Sequence, residues 1–179
     1  MTEEILEFNR KFVAEKRYEP YRTSKHPDQK LAIVTCMDTR LTTLLPAALG
    51  LKNGDAKIIK NAGGVITSPY GSVVRSLLVA VLELGVERIM VIGHTDCGVQ
   101  GMDGKELLAK LETRGISSHH IEAVRQSGVN LEQWLSGFNA VEASVADTVL
   151  SIRNHPLMPQ DVEVQGFVMD SETGKLTRV

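Results

Sequence analysis

Two short stretches carry the residue types that can do chemistry: Cys36-Met37-Asp38-Thr39-Arg40 and, far downstream, His94-Thr95-Asp96-Cys97-Gly98. They hold both cysteines of the chain, a histidine, and a carboxylate, Asp38, with a cation two residues on, Arg40. Two thiolates and an imidazole are the usual donors of a zinc ion. Three protein ligands with an acid–base group beside them make up a catalytic zinc site, whereas a structural site takes a fourth fixed ligand. A single cysteine is commonly just a small buried hydrophobe, and one His-x-x-Cys is a weak signal. Here both cysteines fall in such loops, and that shifts the reading toward Cys36, His94 and Cys97 as ligands.

Asp38 has a plainer role open to it as a helix N-cap, and Arg40 as a solvated helix residue. Beside Cys36 they suggest more. Two thiolates and a neutral imidazole leave a zinc ion formally neutral, so a further carboxylate or hydroxide makes the cluster anionic and Arg40 stabilises either. Asp38 then either accepts a hydrogen bond from zinc-bound hydroxide or binds zinc itself and closes the site. Asp96, the competing carboxylate, reads as a loop or cap residue. Gly98 reads as allowing close packing of its loop, and a helix start at Cys97 would favour its thiolate. His26, His119, His120 and His155 read as surface loop histidines, and Trp134 as packing.

These residues need elements to bring them together. Leu31 to Thr35 is an apolar run typical of a strand buried on both faces, and it delivers Cys36. Ala56 to Ile59 is a second strand, running into Asn61-Ala62-Gly63-Gly64, where glycines permit positive φ or close backbone approach. Arg88 to Ile92 is a third, delivering His94. Helices are expected over Leu41–Leu49 and Ser72–Leu84, the latter with Val73, Val74, Leu77, Leu78, Val81 and Leu82 at helical spacing and Gly85 after its end. Such alternation predicts parallel strands with right-handed crossovers. Ligands in open α/β sheets bind outside the carboxyl ends of the strands, and both chemical stretches fall at such ends. Further helices are expected over Glu3–Tyr18, capped by Thr2, and over Asp103–Leu111, Ile121–Arg125 and Glu142–Ile152. Val162 to Met169 reads as a strand, and Asp170 to Lys175 as a hairpin turn into Leu176–Val179, an antiparallel edge.

The chain has 179 residues, 42% hydrophobic and 23% charged, which suits a single domain over 1–179. A net charge of −2 gives no broad attraction for nucleic acid or anionic membranes. No apolar run approaches the ~18 residues of a membrane span, and the acidic N-terminus lacks the features of a signal peptide. A cytoplasmic location is expected, where two distant thiols do not form a standing disulfide.

Cys36-Met37-Asp38-Thr39-Arg40, Lys60-Asn61-Ala62-Gly63-Gly64 and Gly93-His94-Thr95-Asp96-Cys97-Gly98 together resemble the β-class carbonic anhydrases, notably their compact archaeal and bacterial branch. The resemblance runs from about Leu31 to the terminal hairpin. It implies zinc held by Cys36, His94 and Cys97, with an Asp38–Arg40 dyad beside it. It implies a three-layer α/β fold: a four-stranded, mainly parallel sheet with an added antiparallel edge strand, flanked by helices. It also implies an N-terminal arm helix, within residues 1–20, that embraces a partner in a homodimer or dimer of dimers. The activity implied is reversible hydration of carbon dioxide to bicarbonate and a proton through zinc-bound hydroxide. Plant-type members carry a glutamine before the first ligand strand, and Gln29 lies too near Cys36 to match it. Substrate contacts then fall to Lys60 and to backbone N–H groups around Gly63, Gly64 and Gly98. Two rivals stand beside this reading: hydrolysis of carbonyl sulfide or carbon disulfide on the same site, and a non-catalytic zinc- or bicarbonate-binding protein. Thiol redox chemistry is the weakest option, since no Cys-x-x-Cys exists.

Overall fold

The structure, a computed structural model, describes the whole chain, Met1–Val179. Its centre is a five-stranded sheet in the order β2-β1-β3-β4-β5. The strands are β1 (Leu31–Cys36), β2 (Ala56–Asn61), β3 (Arg88–His94), β4 (Glu163–Met169) and β5 (Leu176–Arg178). The first four run parallel and β5 is antiparallel to β4. Every residue of β1 is buried, as its near-continuous apolar run requires when both faces of the sheet are covered, and the one hydroxyl, of Thr35, donates to Ile92 O at 2.8 Å.

The helices are α1 (Thr2–Ala14), α2 (Leu41–Ala48), α3 (Ser72–Leu84), α4 (Gly104–Thr113), α5 (Ser118–Gln126), α6 (Leu131–Leu135) and α7 (Val141–Arg153). Alternation along the strands sorts the core into two layers. Ala32, Val34, Ile89 and Val91 pack with Val73, Leu77 and Ala80 of α3 and with Val145, Val149 and Ile152 of α7. Ile33, Ile92 and Met169 pack on the opposite face with Leu41 and Leu45 of α2. Gly85, at φ 74°, ends α3 in the left-handed conformation.

The strand order positions the site. From β1 the chain passes to β2 on one side and then to β3 on the other, so β1 and β3 flank a point where the connections diverge. Crevices that hold ligands form at such points. Register places Cys36 opposite Asn61 and Thr35 opposite Ile92, so the ends of β1, β2 and β3 share one edge.

Several expectations are corrected. The first helix stops at Ala14, with Thr2 inside it and no side-chain cap; Lys16 at φ 55° turns the chain into a short 3₁₀ turn, Glu19–Tyr21. None of α1 is buried. His119 and His120 lie on α5 rather than in a loop. His155 is buried, because Pro69 O accepts from Nε2 at 2.9 Å and Nδ1 accepts from the Leu157 N–H at 3.2 Å. The short helix α6 was not anticipated; Asn130 caps it through Oδ1, and Leu131 joins Leu108 and Ile121 in a small satellite core. Trp134 is 59% exposed and lines an apolar cleft of about 390 Å³ with Val65, Val99, Met102 and Phe138, instead of packing inside. No helix is long and apolar enough to cross a membrane.

Candidate metal centre

Cys36 is the last residue of β1 and His94 the last of β3, and Cys97 follows in the turn after β3. All three are buried, and one ligand atom from each lies within 4.8 Å of the others. The sulfurs of Cys36 and Cys97 are 3.8 Å apart.

Local backbone explains the convergence. Asn61 clamps the turn after β2, its Nδ2 donating to Val65 O at 2.6 Å and its Oδ1 accepting the Val65 N–H at 3.0 Å. That fixes the 3₁₀ turn Ala62–Gly64 against the end of β1. A Cβ at Gly64, where φ is 66°, would sit 2.9 Å from Thr35 C and 3.0 Å from Cys36 N, so no side chain fits there. The neighbouring Gly63 N–H points to Cys36 sulfur. After β3, Asp96 takes a left-handed φ of 52°, which turns the chain so that Cys97 faces back to Cys36. No helix begins at Cys97; instead the N–H groups of Val99 and Gln100 in a tight turn face its sulfur.

The charges are arranged around an acceptor. His94 Nδ1 lies 2.8 Å from Thr95 O. A carbonyl only accepts, so Nδ1 carries the proton and donates it. In the neutral ring Nε2 then holds a lone pair. This Nε2 is the one buried side-chain nitrogen or oxygen without a hydrogen-bond partner, an arrangement that costs free energy unless something electron-poor binds there. Burial opposes ionisation of Cys36, but His94, the N–H groups of Asp38 and Gly63, and Cys97 together bring its thiol down from 9.0 to about 7. The adjacent Cys36 sulfur raises the pKa of His94 despite burial. Cys97 is pushed up, first by burial. A bound divalent cation suits this donor set, since two thiolates neutralise it and the imidazole completes a zinc-type triad.

Asp38 and Arg40 close one side. Arg40 Nε donates to Asp38 Oδ1 at 3.0 Å and Nη2 to Oδ2 at 2.9 Å, a bidentate fork. The Arg40 N–H also reaches Asp38 Oδ1 at 2.9 Å, and the Asp38 carbonyl accepts from the Leu41 N–H at 3.2 Å in the turn that leads into α2, whose N-cap position is Arg40 rather than Asp38. Arg40 holds the Asp38 carboxyl down at about 2. Oδ2 stands 3.9 Å from His94 Nε2, turned toward the same space as the triad.

Asp96 does more than the sequence suggested. Its carboxylate takes Arg40 Nη1 at 2.8 Å and its carbonyl takes Nη2 at 2.7 Å. Arg40 therefore ties the two chemical stretches together. The left-handed turn carrying Asp96 was the missed signal, and an isolated aspartate does not announce it. Lys60 is exposed and donates to Thr42 Oγ1 at 3.3 Å, with no hydrogen bond to the cluster. Gly98 is exposed, and a Cβ there would meet nothing within 4 Å, so close packing of its loop is not the reason for glycine in this chain.

The fold and site define an α/β protein with a Cys–His–Cys cluster able to hold a metal at the carboxyl edge of a parallel sheet. A family model described as carbonic anhydrase matches residues 31–176. Among curated proteins, "Putative carbonic anhydrase YtiB" of Bacillus subtilis is 53% identical over 173 residues, covering 97% of this chain and 92% of that one. A carbon disulfide hydrolase of Acidithiobacillus thiooxidans is 31% identical over 175 residues, covering 92% and 85%. The solved structure of β-carbonic anhydrase isoform I from Trichomonas vaginalis superposes with a TM-score of 0.87 at 32% identity, covering 99% of this chain and 96% of that one. The chain belongs to the carbonic anhydrase family, in its β class.

Proposed function

We propose that the protein catalyses reversible, zinc-dependent hydration of carbon dioxide to bicarbonate and a proton. The observation that carries this reading is the convergence of Cys36, His94 and Cys97 around an unpartnered His94 Nε2, with the Asp38 carboxylate facing the same space. A zinc ion bound there supplies Lewis acidity, which in favourable sites brings the pKa of its water to about 7.

The chain's own residues supply the rest. Arg40 keeps Asp38 ionised, so across the neutral range Asp38 only accepts hydrogen bonds. Water facing Oδ2 donates a hydrogen bond to it and is left with a lone pair turned outward, toward the carbon of carbon dioxide. As that pair makes the new carbon–oxygen bond, one C=O π pair moves onto its oxygen to give bicarbonate, and the proton lost from the broken O–H bond passes to buffer. Arg40 in turn is braced by Asp96, which limits the swing of the dyad. Lys60 and the backbone N–H groups around Gly64 and Gly98 are the candidates for holding substrate oxygen, the Gly63 N–H of the same turn being directed at the Cys36 sulfur.

Residues 1–179 are read as a single domain, on the support of the continuous sheet. The apolar side chains of α1 support a homodimer or dimer of dimers: Ile5 and Phe8 are 64% and 60% exposed on a helix that buries nothing. A cytoplasmic location fits two free thiols.

Stopped-flow hydration assayed with zinc content on the same sample tests the reading. Cys36→Ser is expected to lose both zinc and activity; full activity without metal would overturn it. Carbon disulfide hydrolysis is the second reading, favoured by the 31% identical relative of that name. Carbon disulfide turnover with no carbon dioxide hydration, in zinc-loaded protein, would replace the first reading with the second.

A further inference from the structure

The ring of His94 is held by its Nδ1–H bond to Thr95 O, and something must hold Thr95. The Thr95 N–H donates to Met169 O at 3.0 Å, extending the pairing of β3 with β4 beyond His94. The Thr95 side chain reaches the turn between β4 and β5. Its Oγ1 accepts the Ser171 N–H at 3.0 Å and lies 3.2 Å from Ser171 Oγ, where either hydroxyl can donate. Ser171 is 5% exposed, well placed to hold a fixed bond.

The turn that presents Ser171 is itself braced. Asp170 Oδ1 accepts the N–H groups of Glu172 at 3.0 Å and Thr173 at 2.7 Å, and the Thr173 hydroxyl at 2.8 Å. The Asp170 N–H donates to Lys175 O, and Gly174 N–H to Asp170 O, both at 2.9 Å. A continuous path of hydrogen bonds thus runs from the terminal hairpin through Ser171 and Thr95 to His94 Nδ1. Its far end is the orphaned His94 Nε2.

We propose that Ser171 and the Thr95 hydroxyl are positioning residues for His94: they fix the Thr95 carbonyl, and through it the ring angle that aims Nε2 at the metal position. The inference rests on the reading of His94 as a metal ligand. The partner that receives the second ring N–H of a ligating histidine fixes its tautomer and orientation, and loss of such support costs about 10–100-fold in metal affinity. The terminal hairpin then acts on the metal site as well as closing the sheet.

The test uses Thr95→Val, which keeps the shape and removes the acceptor, Thr95→Ser, which restores it, and Ser171→Ala, which removes one hydroxyl and keeps the backbone bond. Zinc affinity is measured by competition with a chromophoric chelator. In the metal-free protein, exchange of the His94 Nδ1–H with water is followed by NMR on ¹⁵N-histidine-labelled chain. Urea unfolding reports global stability. Thr95→Val is expected to weaken zinc ~10-fold or more and Ser171→Ala by less. Thr95→Ser should return within about twofold of the parent, and the double variant should lose little beyond Thr95→Val alone, as for groups on one path. His94 Nδ1–H exchange should accelerate in the same order. A lowered unfolding midpoint with unchanged zinc affinity and unchanged exchange would reduce the clasp to a structural crosslink and overturn the inference. If Thr95→Val fails to fold, Ser171→Ala alone decides by the same two readouts. Failure of the parent to bind zinc would strike the metal reading, while Nδ1–H exchange would still judge the clasp.

Discussion

Gly93, the residue before His94, offers a sharp test of how the sheet carries the site. A Cβ built there lies 2.6 Å from Val141 Cγ2 and 2.7 Å from Val145 Cγ2, both on α7. Carbon atoms in ordinary contact sit about 3.5–4.0 Å apart, so each valine must retreat by about 1 Å. Neither can do so by turning, because a helical valine has one strongly preferred χ1 rotamer. Rigid movement of α7 is resisted too. On β4 a Cβ at Gly166 would lie 2.8 Å from Val145 Cγ1, so α7 is already seated closely over both strands. Gly93→Ala is therefore expected to cost about 2–3 kcal/mol, the upper part of the overpacking range. That is a large share of the ~5–15 kcal/mol that stabilises a typical domain. The assay is urea unfolding of the metal-free protein in two backgrounds. In the parent the full cost should appear; in a Val141→Ala/Val145→Ala background, itself destabilised by lost methyl groups, the same substitution should cost under about 0.5 kcal/mol, a coupling expected of groups in direct contact. Equal costs in both backgrounds would refute the steric account of Gly93. Zinc affinity should fall with stability in the first background and recover relative to its own parent in the second.

Three further outcomes are expected. Arg40→Gln should let the Asp38 carboxyl, held at about 2, rise toward its ordinary 3.8, as read by ¹³C NMR titration of metal-free protein. Because the native value is the lower one, the stability Asp38 contributes is complete above 3.8 and disappears as pH falls through about 2; the gap between parent and variant, kept small by the solvent exposure of Arg40, should close over that window in urea unfolding. Thiolate absorbance of the metal-free chain should rise in two steps shared by the pair, the first near 7 and the second above the ordinary 9.0. The Cys36 contribution to stability grows between pH 7 and pH 9, where the unfolded chain alone retains that proton, and Cys36→Ser should remove this rise from the pH dependence of urea unfolding while the opposing contribution of His94, whose pKa is raised, falls with pH. Ile5→Glu with Phe8→Glu should yield monomers by sedimentation velocity while changing the unfolding of the single chain by less than ~0.5 kcal/mol, since both side chains are exposed in it; an unchanged oligomer would remove α1 from the interface.

Much of the molecule was legible in the sequence because its signals are local. The near-continuous apolar run from Leu31 and the apolar Ile89–Ile92 mark β1 and β3, since a strand covered on both faces has few polar positions to show, while β2, at the sheet edge, keeps Lys57 and Lys60 among its apolar residues. The spacing of Val73, Leu77 and Val81 marks α3, and Gly85 its end. Alternation of strand and helix implies parallel order, and parallel order brings the ends of β1 and β3 to one edge, so the convergence of Cys36, His94 and Cys97 follows from the pattern of the chain. The failures are equally physical. The helix expected to run to Tyr18 stops at Ala14, and the edges of elements answer to capping and turns that composition marks weakly. Trp134 reads as packing in the sequence, but exposure is set by what lies opposite a side chain, and little of this chain lies opposite this one.

Sequence alone pointed to Cys36, His94 and Cys97, to the parallel alternation of strand and helix and to the edge at which they meet, because those depend on residue type and on periodicities of a few residues; the spatial order β2-β1-β3-β4-β5 came from the tertiary structure. Only the tertiary structure decided the contacts that set how the donors behave. Arg40 bridges Asp38 and Asp96 across the two stretches. Gly64 presses on the backbone of Thr35 and Cys36. Ser171, from the far end of the chain, braces the residue that holds His94. Each joins groups distant in sequence at distances near 3 Å, where direction and burial govern the energy, and no local pattern encodes such a distance.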